Sequence, residues 1–120
     1  MTISPRANGH VTILDLAGRM TVESSTERVL ALTVRHFLDE GHRQILLNLE
    51  GVPQIDSSGL SQLVEAYTTT TRQGGQLKFV YVTRHVDALL RITHMDRVFE
   101  TFHVEAEAVA SFSAHGGSRA

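Results

Sequence analysis

Ile45-Leu46-Leu47-Asn48-Leu49 leads, through Gly51, Val52 and Pro53, into Ile55-Asp56-Ser57-Ser58-Gly59-Leu60. The first run is mostly apolar and too short for a helix, which is how a strand buried on both faces reads. The second opens an amphipathic helix expected over residues 58–73. Leu60, Leu63, Val64 and Tyr67 recur there at i, i+3, i+4 and i+7, the spacing of one apolar stripe. Gly74-Gly75 closes the pattern. A buried strand that feeds directly into a helix is half of a crossover to a parallel neighbour.

Working toward the N-terminus, Leu30, Val34, Phe37 and Leu38 mark a helical face within residues 21–40, and Gly41 stands where a helix stops. Val11, Ile13, Leu14 and Leu16 come close to strand alternation, and Gly18 breaks that strand. Before it, Asn8-Gly9 is a tight-turn dipeptide that pairs residues 11–16 with a short edge strand at 2–6. Toward the C-terminus, residues 77–82 read as a strand. Val86, Leu89, Leu90 and Thr93 read as a short helix, 98–102 as a last strand and 105–112 as a last helix. The tail at 113–120, with Gly116, Gly117 and Ser118, is expected to be disordered. The order predicts an α/β domain over residues 1–112: a mixed sheet of four to five strands, about four helices and an N-terminal hairpin.

Composition bounds the function. The 120 residues suit one domain with a real core. Eleven basic residues, of which only Lys78 is a lysine, form no stripe, against a net charge of −2, which argues against nucleic-acid binding. The absence of cysteine excludes thiolate zinc and a cysteine nucleophile and fits a reducing compartment. No apolar run approaches the roughly 20 residues of a membrane helix, and residues 1–6 carry no signal-peptide core. The expectation is a cytoplasmic protein without membrane insertion.

At the junction, the first helical turn has backbone N–H groups without intrahelical partners, and Asp56 or Ser57 can cap them. The helix dipole favours an anion at that end, so a phosphate on a serine is compatible with the helix. Phosphoserine adds about −1.5 to −2 charges and three acceptor oxygens, enough to reject a partner. A plain N-cap is the simpler reading of the same residues.

Ile55-Asp56-Ser57-Ser58-Gly59-Leu60, at this place in this element order, resembles the signature of STAS domains of the anti-sigma factor antagonist type. Leu16-Ala17-Gly18-Arg19-Met20, the strand at 45–49 and Gly74-Gly75-Gln76-Leu77 are similar to the family pattern as well. The resemblance implies a binding switch and no enzyme. The domain would capture an anti-sigma factor with a histidine-kinase-like ATPase fold, be released when that kinase phosphorylates Ser57, and be reset by a serine phosphatase. It implies Ser57 as phosphoacceptor, and Asp56, Ser58, Gly59 and Leu60 as partner-binding residues, with no cofactor. Two positions depart from the pattern. Thr21-Val22-Glu23 stands where many members place an aspartate, with Glu23 as a substitute carboxylate, and Ser61 stands where a second glycine is common. The family also includes accessory subunits of lipid-transporting ABC systems and non-switching scaffold domains.

Other chemistry is poorly served. Seven histidines include no i, i+4 pair and no HExxH, so surface histidines are expected and no metal. A serine hydrolase needs a G-x-S-x-G elbow, and the residues around Ser57 lack its first glycine. Thr68-Thr69-Thr70-Thr71 is read as a partly exposed helix end, because β-branched residues lose χ1 freedom in helices.

Overall fold

The computed structural model describes residues 1–21 and 29–118, with 113–118 described by backbone alone. Strands β1 (Thr2–Asn8) and β2 (Val11–Ala17) form an antiparallel hairpin. Asn8 pairs with Val11, so the turn is Gly9-His10, one residue later than Asn8-Gly9 suggested, with Gly9 at φ +64°. That conformation costs a residue without Cβ nothing. Then follow α1 (Val29–Asp39), β3 (Gln44–Gly51), α2 (Ser57–Arg72), β4 (Gln76–Val80), α3 (Arg84–Ile92), a 3₁₀ turn at Met95–Arg97, β5 (Thr101–Phe102) and α4 (Glu105–Ser118). The sheet order is β1-β2-β3-β4-β5, parallel from β2 onward. This is the mixed sheet with helical crossovers that the element order implied.

The sheet is covered unequally. One face carries Leu14, Leu16, Ile45, Leu47, Leu49, Leu77 and Phe79, packed against Leu30, Val34 and Leu38 of α1, Leu63 and Ala66 of α2, and Val86 and Leu90 of α3. The opposite face carries Val11, Ile13, Leu46 and Val80 beneath Ala108 and Phe112 of α4. β3 is therefore buried on both sides, as its sequence implied. β2 is too, although its pattern read as alternating. The second cover comes from α4, far along the chain and invisible to a local pattern.

Element ends were the weaker expectations. β4 stops at Val80 rather than residue 82: Tyr81 still donates its N–H to the Phe102 carbonyl at 3.1 Å, but its φ of +56° turns the chain out of the strand conformation. The last strand keeps only Thr101 and Phe102. Phe99 is drawn out of it to stack on Phe79 and Tyr67, with ring centroids 4.6 and 5.3 Å away. α1 is described from Val29; of the helix expected from residue 21, Thr21 lies in a bend, and residues 22–28, Glu23 among them, lie outside the described residues. The α4 backbone continues helical to Ser118, past the boundary expected at 112. In the threonine run, Thr70 is fully buried and returns its hydroxyl to the Ala66 carbonyl at 2.8 Å, whereas Thr71 is exposed.

α4 is tied to the hairpin by charge. Arg6 donates to Asp15 at 2.6 Å and to Glu105 at 2.6 Å, Asn8 donates to Glu105 at 3.2 Å, and Asn48 donates to Asp15 at 2.8 Å. Hydrogen bonds from Arg6 are the main cause holding the Asp15 and Glu105 carboxyls below the usual carboxylate range. Carboxylates depressed in the folded state stabilise it above their unfolded pKa of about 4, and that contribution is lost as pH falls through the folded values. Arg6 keeps 41% of its side chain exposed, so water screens the pairs, and Arg6→Met is expected to cost about 1 kcal/mol at neutral pH. Urea titrations should show the gap between the two proteins closing as pH drops below about 4. A gap independent of pH would assign the loss to the packing of the arginine stem.

Candidate functional site at the start of helix α2

β2, β3 and β4 run parallel, so the segments leaving their C-terminal ends meet at one edge of the sheet, the usual place for function in an α/β domain. Gly18 donates its N–H to the Gly51 carbonyl at 2.8 Å, which brings the segment after β2 alongside the segment after β3. Met20 then pairs with Ile55 in an isolated parallel bridge. Its N–H reaches the Gln54 carbonyl at 2.9 Å, and its carbonyl accepts from the Asp56 N–H at 3.2 Å.

Asp56 is the N-cap of α2. Its backbone is extended, at φ −118° and ψ −168°, and its Oδ1 accepts from the N–H groups of Ser58 at 2.9 Å and Gly59 at 3.2 Å. The sequence left the cap open between Asp56 and Ser57. With Asp56 in that role, Ser57 is the first helical residue and is exposed. Ser58 is half-buried. Gly59 is buried, and the backbone that approaches it is the chain's own: an added Cβ would meet the Met20 carbonyl oxygen at 2.1 Å and Ile55 Cγ1 at 2.6 Å. Its lack of a side chain thus serves the seating of Met20 on α2.

The face that α2 turns inward is rotated from the expected one. Gly59, Gln62, Leu63, Ala66 and Thr70 are buried, whereas Leu60 and Tyr67 are half-buried and Val64 is 36% exposed. The small residues let α2 lie close to Met20 and α1, and the larger Leu60 and Val64 fall on the flank. With Thr93 and Met95 they line a shallow apolar groove along α2, beginning one turn from Ser57.

Two residues the sequence did not single out hold the same junction. Thr83 occupies the N-cap position of α3 but gives its hydroxyl to the Val52 carbonyl at 2.8 Å and makes no side-chain cap. His85 is exposed, as expected of a surface histidine, yet its Nε2 lies 3.1 Å from the Ile55 carbonyl. A carbonyl only accepts, so His85 is the donor. No spacing in the sequence could have signalled either tie. Chemically the site offers an exposed hydroxyl at the positive end of a helix of 16 residues, in a turn fixed from two sides. Among the described residues no group of three or more histidine, aspartate or glutamate side chains is placed to hold a metal, and no helix is long and apolar enough to cross a membrane.

The family model of the STAS domain matches residues 2–108. The chain belongs to the STAS domain family. A Thermotoga neapolitana protein whose name reads "Putative anti-sigma factor antagonist TM1081 homolog" is 33% identical over 73 residues. That match spans 61% of this chain and 65% of the relative, so less than two thirds of the relative's own length is covered. Among solved structures, phosphorylated SpoIIAA, a Bacillus cell fate determinant, superposes with a TM-score of 0.68 at 12% identity, covering 92% of this chain and 99% of that one. A sulfate transporter family protein of Wolinella succinogenes also reaches 0.68, at 20% identity, covering 85% of this chain and 84% of that one. At such identities the likeness establishes the STAS fold, and the fold hosts more than one function.

Proposed function

We propose that this STAS protein is a cytoplasmic anti-sigma factor antagonist, a binding switch controlled by phosphorylation of Ser57. The observation that carries the reading is the division of labour at the start of α2. Asp56 does the capping, so Ser57 is exposed and its hydroxyl is available to a kinase without cost to the helix. The anti-sigma factor antagonist named among its relatives and the existence of a phosphorylated SpoIIAA support the same reading.

The partner is an anti-sigma factor with a histidine-kinase-like ATPase fold. It contacts Ser57, Ser58 and the Leu60 flank of α2, while Asp56 and Gly59 hold the turn in shape. Transfer of a phosphoryl group to Ser57 places about −1.5 to −2 charges in the contact. The helix N-terminus accommodates that charge on the free protein, whereas the partner would have to desolvate it. Release follows, and a serine phosphatase restores the binding form.

Two experiments check this. Incubation with the partner kinase and ATP is expected to add one phosphate, and Ser57→Ala to abolish it. Label found elsewhere, with Ser57 unmodified, would refute the site. Wild-type and Ser57→Asp baits in a source-organism lysate extend the test. Capture of a transporter ATPase equally by both baits would identify a transport subunit in which Ser57 is only part of a capped turn.

A further inference from the structure

We propose that His85 is a positioning residue for Ser57, acting through the peptide group that joins Ile55 to Asp56. The proposal rests on the switch reading above and adds a residue to it. The Ile55 carbonyl and the Asp56 N–H belong to one planar peptide unit. Its N–H is held by the Met20 carbonyl at 3.2 Å, and its carbonyl is held by His85 Nε2 at 3.1 Å. One bond at one end leaves a peptide plane free to tilt about the chain. Bonds at both ends, from segments that leave two different strands, fix ψ of Ile55 and φ of Asp56 together. Those two angles aim the Asp56 carboxylate at the Ser58 and Gly59 amides and set the direction in which the Ser57 hydroxyl leaves the helix.

The second tie from the same segment separates this role from general support. Thr83 grips the Val52 carbonyl, at the other end of the loop, and so anchors the loop without touching the 55–56 peptide. His85 alone contributes a side chain to that peptide from α3. Its reach matters as well: a glutamine amide carries an N–H at about the Nε2 position, whereas alanine or phenylalanine carries none.

The test is amide hydrogen exchange, read by NMR on the full chain, in wild type, His85→Ala, His85→Gln and Thr83→Val. His85→Ala is expected to speed exchange at Asp56, Ser58 and Gly59 about five- to tenfold, the range set by losing one hydrogen bond. His85→Gln should restore protection, and Thr83→Val should leave those three amides unchanged. With the partner kinase, His85→Ala should lower kcat for Ser57 phosphorylation and leave KM nearly unchanged, because the groove and helix flank are intact. Unchanged exchange in His85→Ala, or equal acceleration in Thr83→Val, would overturn the proposal. Failure of wild-type Ser57 to take phosphate would instead remove the switch reading, with the exchange data still deciding whether His85 clamps the turn.

Discussion

Gly59→Ala is expected to destabilise the protein by about 3 kcal/mol, the upper part of the range for overpacking a rigid contact. The sign is what makes it informative. Gly59 lies in the first turn of α2, at a conformation any residue adopts, and alanine in a helix ordinarily gains close to 1 kcal/mol over glycine. Here the new methyl would stand 2.1 Å from the Met20 carbonyl oxygen and 2.7 Å from Met20 Cβ. The obstacle includes backbone, and that backbone is itself bonded to Gln54 and Asp56, so it cannot retreat without breaking the bridge that seats the junction. Urea denaturation reads the outcome directly. A midpoint equal to or above that of wild type would show that the Met20 segment yields cheaply and that Gly59 is not required for the seating.

Ser57→Asp is expected to separate folding from binding. At the first position of α2 a carboxylate interacts favourably with the helix dipole, so the free protein should keep or gain a few tenths of a kcal/mol. Against the proposed anti-sigma factor partner the same charge would have to be buried where the switch reading places a neutral hydroxyl, and affinity should fall by about a hundredfold or more, or roughly 3 kcal/mol. Ser57→Ala, which adds no charge, should bind within a few-fold of wild type. Titration calorimetry with the purified partner, alongside urea denaturation of each variant, measures both effects. Unaltered affinity of the aspartate variant, with its stability intact, would mean that Ser57 lies outside the contact and that its phosphorylation could not drive release.

The architecture was legible because its signals are local. Residues 45–49 read as a two-sided buried strand, Gly41 and Gly74 marked helix ends, and Asp56-Ser57-Ser58 announced a capped start. Errors arose where a distant element intervened. β2 read as half-exposed because nothing near it reveals α4 on its second face. The strand at 98–102 read as longer because nothing near it reveals that Phe99 leaves the ladder for Phe79 and Tyr67.

At the candidate site the division is equally physical. By itself the sequence determined the element order and the presence of a capped helix start after a buried strand. Periodicity and capping depend on residues within one or two turns of each other, and those are adjacent in the chain. Tertiary structure alone decided that Asp56 rather than Ser57 is the cap, that Gly59 makes room for Met20, that Leu60 and Val64 lie on the flank of α2, and that His85 and Thr83 hold the junction. Each of these depends on where other segments lie, in the case of His85 on a carbonyl 30 residues away, and such distances carry no pattern until the sheet has brought its strand ends together.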